Sequence, residues 1–114
     1  LLLNGGTYGD VRLLSQSTVQ TMTTNRLVDQ PEISDSVRRA RPWGLGWSLN
    51  SSGTSRSWGD TLGPNIFGHT GATGTMCWID PDRNGFCLLF TSAIRSRAPW
   101  RLVNLSNIVG SAFV

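Results

Sequence analysis

The sequence is poor in the residue types that many catalytic and binding motifs need. Its 114 residues include no lysine, one histidine (His69), one tyrosine (Tyr8) and two cysteines. Without lysine the chain cannot form a phosphate-binding P-loop, whose motif ends in Gly-Lys-Ser/Thr. One histidine and two cysteines within apolar segments are too few for a metal-ligand set, so we predict no metal and no other cofactor. No apolar run reaches the ~18 residues that cross a membrane.

The positive charge comes entirely from arginine. The formal net charge is +3, and Arg38, Arg39 and Arg41 form a cluster inside a polar segment, 29–41, that contains or adjoins two prolines. Nucleic-acid sites usually combine a basic stripe with interleaved aromatic side chains, and no such stripe is present. We therefore predict a solvated surface loop over 29–41 and no nucleic-acid partner.

The apolar pattern predicts the strands of a sheet, the last two of them joined as a hairpin, and a helix packed on it. Ser15 is a good N-cap for a short helix over 16–24, and Pro99 precedes a longer amphipathic helix. The predicted strands are 44–49, 66–70, 75–79 and 86–92, with a second loop over 50–65. The buried stripe of the last helix is expected to contain Leu102, Leu105, Ile108, Val109, Ala112 and Phe113. A helix stop is expected at Gly5-Gly6.

The last two predicted strands are apolar at both odd and even positions. A strand of this kind is usually covered on both faces of its sheet, and the C-terminal helix covers only one. The short helix after Ser15 is too small to cover the other face, so we expect further sequence outside these 114 residues. Cys77 and Cys87 lie in these strands; a cross-strand disulfide is conceivable, but free thiols are more common.

The segment between these strands partly matches a calcium loop. Asp80-Pro81-Asp82-Arg83-Asn84-Gly85 has the pattern of the loop's first half, but Thr91 stands where the loop needs a bidentate glutamate. We predict a tight turn and no calcium.

The only histidine lies in the run IFGHTGATGT, at positions 66–75. A lone histidine beside apolar residues is most often structural. As a catalytic base it would need a nucleophilic serine and an orienting acid, and residue spacing alone nominates neither.

Several segments together resemble the C-terminal portion of the serine beta-lactamase-related family. They are FGHTGATGT, WIDPDRNGFCLLFTSAI, LLLNGGTYGDVRLLSQSTVQTMTTNRL and GLGWSL. The family includes class C beta-lactamases, penicillin-binding-protein-like peptidases and related carboxylesterases. The resemblance implies an α+β sandwich whose antiparallel sheet is flanked by helices and is incomplete here. Residues 1–42 would be the tail of the helical region and a connecting ribbon, and residues 43–114 the sheet strands and last helix.

The resemblance also implies a site. The family combines a serine in S-x-x-K, a tyrosine in Y-x-N and a K-T-G or H-T-G box, and His69-Thr70-Gly71 matches the box. His69 and Thr70 would hold a substrate carboxylate or assist proton transfer, and Gly71 would let substrate approach the strand. The backbone N–H of Ala72 would be one oxyanion donor.

The nucleophile of the family has no counterpart in this chain, because S-x-x-K needs a lysine. Tyr8 lies in the predicted ribbon rather than at the family's tyrosine position, and we expect it to be a packing residue. We therefore expect one wall of a hydrolase that forms an acyl-enzyme with a small ester or amide substrate, inactive alone. A neutral His69 favours esterase or peptidase over beta-lactamase. The alternatives are a non-catalytic remnant with a binding or structural role, or a small basic binding protein.

Overall fold

The computed structural model of the chain describes residues 1–51 and 58–113, which form an α+β fold. The elements are β1 (Thr7–Tyr8), β2 (Val11–Arg12), α1 (Gln16–Met22), α2 (Asp35–Ala40), β3 (Ser48–Leu49), β4 (Phe67–Thr70), β5 (Met76–Asp80), β6 (Gly85–Leu89) and α3 (Trp100–Ala112). Two short 3-10 helices, Leu27–Asp29 and Arg95–Arg97, lie between them. The sheet is antiparallel in the order β3-β4-β5-β6, and β1 and β2 form a separate ribbon.

The first residues have the hydrogen bonds of a helix C-terminus. The Gly6 N–H donates to the Leu1 carbonyl at 3.0 Å, and the Gly5 N–H donates to the Leu2 carbonyl at 3.2 Å. This pair of bonds is the Schellman motif, and Gly5 has the left-handed φ, 56°, that the motif requires. The predicted stop at Gly5-Gly6 is confirmed.

Helix α1 begins as predicted and ends earlier. The Thr18 N–H donates to the Ser15 hydroxyl at 3.0 Å, which is the expected N-cap bond, and Val19 is buried. The helix ends at Met22 because its carbonyl accepts a hydrogen bond from the N–H of Leu45 at 2.9 Å. The Leu45 N–H thus occupies the carbonyl that would accept the next hydrogen bond if the helix continued.

The prediction of a loop over 29–41 is wrong, since α2 lies inside it. Helix α2 buries none of its residues, so it has no apolar stripe for a sequence pattern to show. Local polar contacts hold it instead: the Arg38 guanidinium lies 3.1 Å from the Asp35 carboxylate and donates to the Gln30 carbonyl at 2.7 Å. The arginine cluster therefore sits at the end of a short surface helix.

The main core lies between the sheet and α3. Its buried members are Trp58, Leu62, Ile66, Met76, Trp78, Cys87 and Leu102. The predicted stripe of α3 is partly wrong, because Ile108 is 66% exposed while Ser106 and Gly110 are buried. A Cβ at Gly110 would crowd the Leu62 side chain, so close packing at this point selects a small residue.

The opposite face of the sheet is only partly covered. Leu49, Phe67 and Ile79 are buried there, and partly buried neighbours pack against them, namely Leu2, Leu3, Trp47 and Cys77. Further along this face, Phe86 is 57% exposed and Leu88 is 50% exposed. Within the described residues this face of β6 therefore lacks cover, as expected when the C-terminal helix covers only the other face, and cover by sequence outside these 114 residues stays a prediction.

The predicted strand 44–49 is mostly a turn. Only Ser48–Leu49 pairs with β4, Ser48 also forms an isolated bridge with Trp43, and Gly46 has φ 78°. Part of the predicted loop over 50–65 lies outside the described residues.

The two cysteines point to opposite faces of the sheet. Cys77 is opposite Leu88 and Cys87 is opposite Trp78 across the same strand pair, and both thiols are free. Burial raises the pKa of both thiols, and the neighbouring Cys77 raises the pKa of Cys87 further. The more common outcome, free thiols, is confirmed.

The β5–β6 turn is closed by a buried carboxylate. Asp80 accepts hydrogen bonds from the backbone N–H groups of Asp82 at 3.1 Å and Arg83 at 3.2 Å, and its other oxygen pairs with the Arg83 guanidinium at 3.1 Å. Asn84 takes a left-handed φ of 51°. The predicted tight turn is confirmed. Within residues 1–51 and 58–113, no group of three or more His, Cys, Asp or Glu side chains is placed to hold a metal.

Candidate active site

The H-T-G box lies at the C-terminal end of β4. His69 is opposite Cys77 and Thr70 is opposite Met76 on the neighbouring strand β5. On the other side of β4, strand β3 pairs with Phe67 and Gly68 and does not extend to His69. In the described part of the chain, the β3-side edge of His69 and Thr70 therefore carries no paired strand.

The side chains of His69 and Thr70 point to opposite faces of the sheet, as neighbouring strand residues do. The exposed imidazole of His69 is on the same face as Phe67 and meets the Trp43 ring edge to face, with centroids 5.5 Å apart. Thr70 is half-buried on the α3 face. The imidazole is thus oriented by an aromatic neighbour and remains open to solvent.

A tight turn follows the box. The Gly71 N–H donates to the Thr75 carbonyl at 2.8 Å, and the Gly74 N–H donates to the Gly71 carbonyl at 3.1 Å. Gly74 has φ 81°, which favours glycine. A Cβ on Gly71 would overlap the Thr75 hydroxyl, so glycine is needed here for packing within the turn. The predicted role of Gly71 in substrate approach stays a prediction.

The backbone N–H of Ala72 is directed away from the turn. The N–H of Ala72 and the carbonyl of Gly71 belong to one trans peptide unit and point in opposite directions. That carbonyl points inward to the N–H of Gly74, so the N–H of Ala72 points outward. Among the backbone hydrogen bonds of the described residues, the Ala72 N–H donates to none, and the residue is exposed.

One residue that the sequence analysis did not select contacts the box directly. The Arg95 guanidinium donates from Nη1 to the Thr70 hydroxyl at 2.8 Å. The backbone N–H of the same residue donates to the Ala72 carbonyl at 3.0 Å. Arg95 therefore contacts the chain on both sides of Gly71.

A second set of contacts holds the far end of the turn. The Thr91 hydroxyl donates to the Gly74 carbonyl at 2.7 Å, and the Arg101 guanidinium donates to the Ala93 carbonyl at 3.0 Å. A Cβ on Gly74 would crowd both Thr91 and Ala93. The turn is thus fixed against the segment that leads into α3.

Other candidate features lie elsewhere. One open cleft of about 440 Å³ lies between the end of α1 and the β5–β6 turn, and another of about 500 Å³ lies beside α2. His69 lines neither of them. Tyr8 is 72% exposed in the β1–β2 ribbon, so the expectation that it is a packing residue is wrong for the described part of the chain. None of the described helices is long and apolar enough to cross a membrane.

Sequence comparison places the chain among known proteins. The family model described as Beta-lactamase matches residues 6–112. A putative D-alanyl-D-alanine carboxypeptidase of Escherichia coli O157:H7 is 41% identical over 81 residues, which are 70% of this chain and 16% of that protein. A protein of the same description from Salmonella paratyphi B is 37% identical over 82 residues, 71% of this chain and 16% of that protein. The chain thus spans only 16% of these relatives' length.

Structural comparison agrees on the fold. A crystal structure of a beta-lactamase from Mycobacterium bovis superposes with a TM-score of 0.71 at 20% sequence identity, covering 89% of this chain and 38% of that one. At this identity the likeness shows the fold alone. The family match, by contrast, extends over almost the whole sequence and includes the H-T-G box. The chain therefore belongs to the serine beta-lactamase-related family.

Proposed function

We propose that this chain forms one wall of the active site of a serine hydrolase that acts on a small ester or amide substrate. The acyl-enzyme would form on a serine outside these 114 residues, because the chain has no lysine for an S-x-x-K motif. The wall would consist of His69, Thr70, Gly71 and Ala72. The name of the matching family model, Beta-lactamase, and the description of the relatives as putative carboxypeptidases support acyl transfer.

The outward N–H of Ala72 is the observation that carries this proposal. A tetrahedral intermediate of acyl transfer carries a negative oxygen, which a fixed N–H donor stabilises. The N–H of Ala72 is fixed by the hydrogen bonds on both sides of it and points away from the turn. The exposed imidazole of His69, three residues earlier on the same strand end, would accept or donate a proton during the reaction.

The histidine of the H-T-G box affects which substrates we expect. Lysine carries a compact positive charge that pairs with a carboxylate, whereas an imidazole ring can both accept and donate a proton. A histidine at this position therefore suits proton transfer better than charge pairing. We therefore expect ester or peptide substrates to be turned over faster than beta-lactams.

The test uses the complete open reading frame that encodes this chain. We expect it to contain S-x-x-K and a tyrosine motif, and its product to hydrolyse p-nitrophenyl acetate or a peptide ending in D-Ala-D-Ala faster than nitrocefin. The 114-residue chain alone should be inactive. His69→Ala should lower kcat/KM by about 100-fold, the usual effect of removing a general acid or base. Thr73→Ala, at an exposed turn position, is the matched control and should have no effect.

Three results would contradict the proposal. Ester hydrolysis by the 114-residue chain alone would show that no external serine is needed. Unchanged turnover of His69→Ala across neutral pH would remove the imidazole from the mechanism. A reading frame without S-x-x-K would favour a non-catalytic binding or structural role.

A further inference from the structure

The last third of the sequence contains arginine but no acidic residue. No aspartate or glutamate follows Asp82, while four arginines do, namely Arg83, Arg95, Arg97 and Arg101. Among the hydrogen bonds of the described residues, one of these four donates to a side chain of the H-T-G box: Arg95 bonds the Thr70 hydroxyl at 2.8 Å. Arg95 thus brings an ionised group into direct contact with the box.

We propose that Arg95 is the positioning residue of the H-T-G box. It orients the Thr70 hydroxyl as a donor toward substrate, and it fixes the peptide chain around Ala72 so that the N–H stays directed outward. The inference rests on the function proposed above. It adds a residue that lies 25 positions after Thr70 in sequence and belongs to a different element.

The orientation of the hydroxyl follows from hydrogen-bond chemistry. A guanidinium group has only donors, so in the bond between Arg95 and Thr70 the threonine oxygen must be the acceptor. The hydroxyl proton of Thr70 then points elsewhere. Among the described residues it is donated to no protein acceptor, so it remains available to an oxygen of a bound substrate.

The charge of Arg95 strengthens this effect. Arginine stays ionised at every pH at which a protein is folded, and a hydrogen bond from a charged donor is roughly twice as strong as a neutral one. A hydroxyl that accepts such a bond becomes a better donor itself, because hydrogen bonds in a chain polarise one another. Arg95 therefore brings a fixed positive charge into contact with the box.

The backbone contact of Arg95 acts on the other side of Gly71. Its N–H holds the Ala72 carbonyl at 3.0 Å, and the Gly74 N–H holds the Gly71 carbonyl at 3.1 Å. Both peptide units that flank Ala72 are therefore fixed. Because the side chain and the backbone of Arg95 bind on either side of Gly71, a shift of Arg95 would move the hydroxyl and the N–H donor together.

The first arm of the test is kinetic and uses the complete protein. Arg95→Ala should lower kcat by about tenfold or more, the value of a charge-assisted hydrogen bond, with a smaller change in KM. Added methylguanidinium should restore part of that loss, and Arg95→Lys should lose less than Arg95→Ala. Arg97→Ala is the matched control, since Arg97 lies in the same 3-10 helix and, among the hydrogen bonds of the described residues, the one that reaches the Thr70 hydroxyl comes from Arg95.

A double-mutant cycle tests whether Arg95 acts through the Thr70 hydroxyl. When Thr70→Ala has removed the hydroxyl, Arg95→Ala should cause little further loss, because the side chain has lost its acceptor. Independent losses that multiply would overturn the proposal. An equal loss in Arg97→Ala, or the absence of rescue by methylguanidinium, would also overturn it by pointing to a general structural effect.

The second arm does not depend on activity. Hydrogen-exchange mass spectrometry of the complete protein should show faster exchange in the peptide covering 70–75 for Arg95→Ala, and unchanged exchange for Arg97→Ala. Faster exchange in both variants, or in neither, would overturn the proposal. If the wild-type protein fails to hydrolyse any substrate, the proposed function fails, whereas this arm still decides whether Arg95 positions the box.

Discussion

The two faces of the sheet have similar sequences and different surroundings. The face toward α3 buries Met76, Trp78 and Cys87 in the main core. The other face buries Phe67 and Ile79 near its β3 side but leaves β6 side chains half-exposed. Both faces are apolar in the β5–β6 hairpin, so hydrophobicity alone does not distinguish them. How well each face of the sheet is covered therefore depends on which other segments of the chain reach it.

The partial cover has a simple physical origin. Helix α3 spans the first face and brings Leu102 to the core. Within residues 1–51 and 58–113, the second face receives only the short N-terminal segment and the residues around β3, among them Leu2, Leu3 and Trp47. These are too few to reach Phe86 and Leu88, which lie on the strand farthest from β3. Exposed apolar side chains side by side on a strand are a surface for association.

The largest expected difference between the faces concerns stability. Trp78 is fully buried, and its ring meets Phe113 edge to face at 5.8 Å. Trp78→Ala should lower the free energy of unfolding by about 3–5 kcal/mol, because it leaves a cavity in the core. Phe86→Ala, the control on the other face, should cost about 1 kcal/mol or less. Urea unfolding of the two variants beside wild type measures both values.

Equal losses of unfolding free energy in the two variants would contradict this difference between the two faces. They would mean that Phe86 is packed in solution as tightly as Trp78, through association of the exposed face. Sedimentation at several protein concentrations separates that case from a packed monomer, because association depends on concentration.

A smaller difference is expected between two turns. Gly74 and Gly46 both have left-handed φ values, 81° and 78°. A Cβ at Gly74 would overlap the backbone oxygen of Ala93, on the side that leads to α3, whereas a Cβ at Gly46 meets nothing. Gly46→Ala should cost about 1 kcal/mol for the strained φ alone. Gly74→Ala should cost about 3 kcal/mol, because the neighbouring backbone must also shift.

Thermal unfolding of the two glycine variants measures this difference. Similar losses in both would show that the turn after the H-T-G box can shift away from Ala93 without cost. The box would then be less rigid than its hydrogen bonds indicate.

The fold could be predicted from sequence where apolar patterns are strong. The strands around His69 and the β5–β6 hairpin follow from alternating and continuous apolar runs. Helix α2 could not be predicted, because it buries nothing and depends on an ion pair between Asp35 and Arg38. The stripe of α3 was mispredicted at Ser106 and Gly110, because close packing selects small residues that a hydrophobic pattern ignores.

The candidate site shows the same limit. The position of the H-T-G box follows from its motif and its strand. The outward direction of the Ala72 N–H depends on two backbone hydrogen bonds, one from Gly74 to the Gly71 carbonyl and one from Arg95 to the Ala72 carbonyl, and no residue type in the sequence requires them. Arg95 was missed because its contact with Thr70 joins distant parts of the chain. The signal visible in the sequence was the presence of arginines, and of no acidic residue, after Asp82.

The smallest expected difference between the two faces concerns the thiols. Burial raises the pKa of Cys77 and Cys87, so at neutral pH less of each is in the reactive thiolate form than in a free cysteine. Both should react slowly with iodoacetamide, and the rate should begin to rise at a higher pH than for a free thiol. Cys87 is more buried, and its pKa is raised further by Cys77, so it should react roughly tenfold more slowly. Mass spectrometry of the tryptic peptides resolves the two sites. Faster reaction at Cys87 would mean that α3 moves away from its face of the sheet more often than the N-terminal segment moves away from the other face. The face toward α3 would then be the less protected of the two, contrary to the structure.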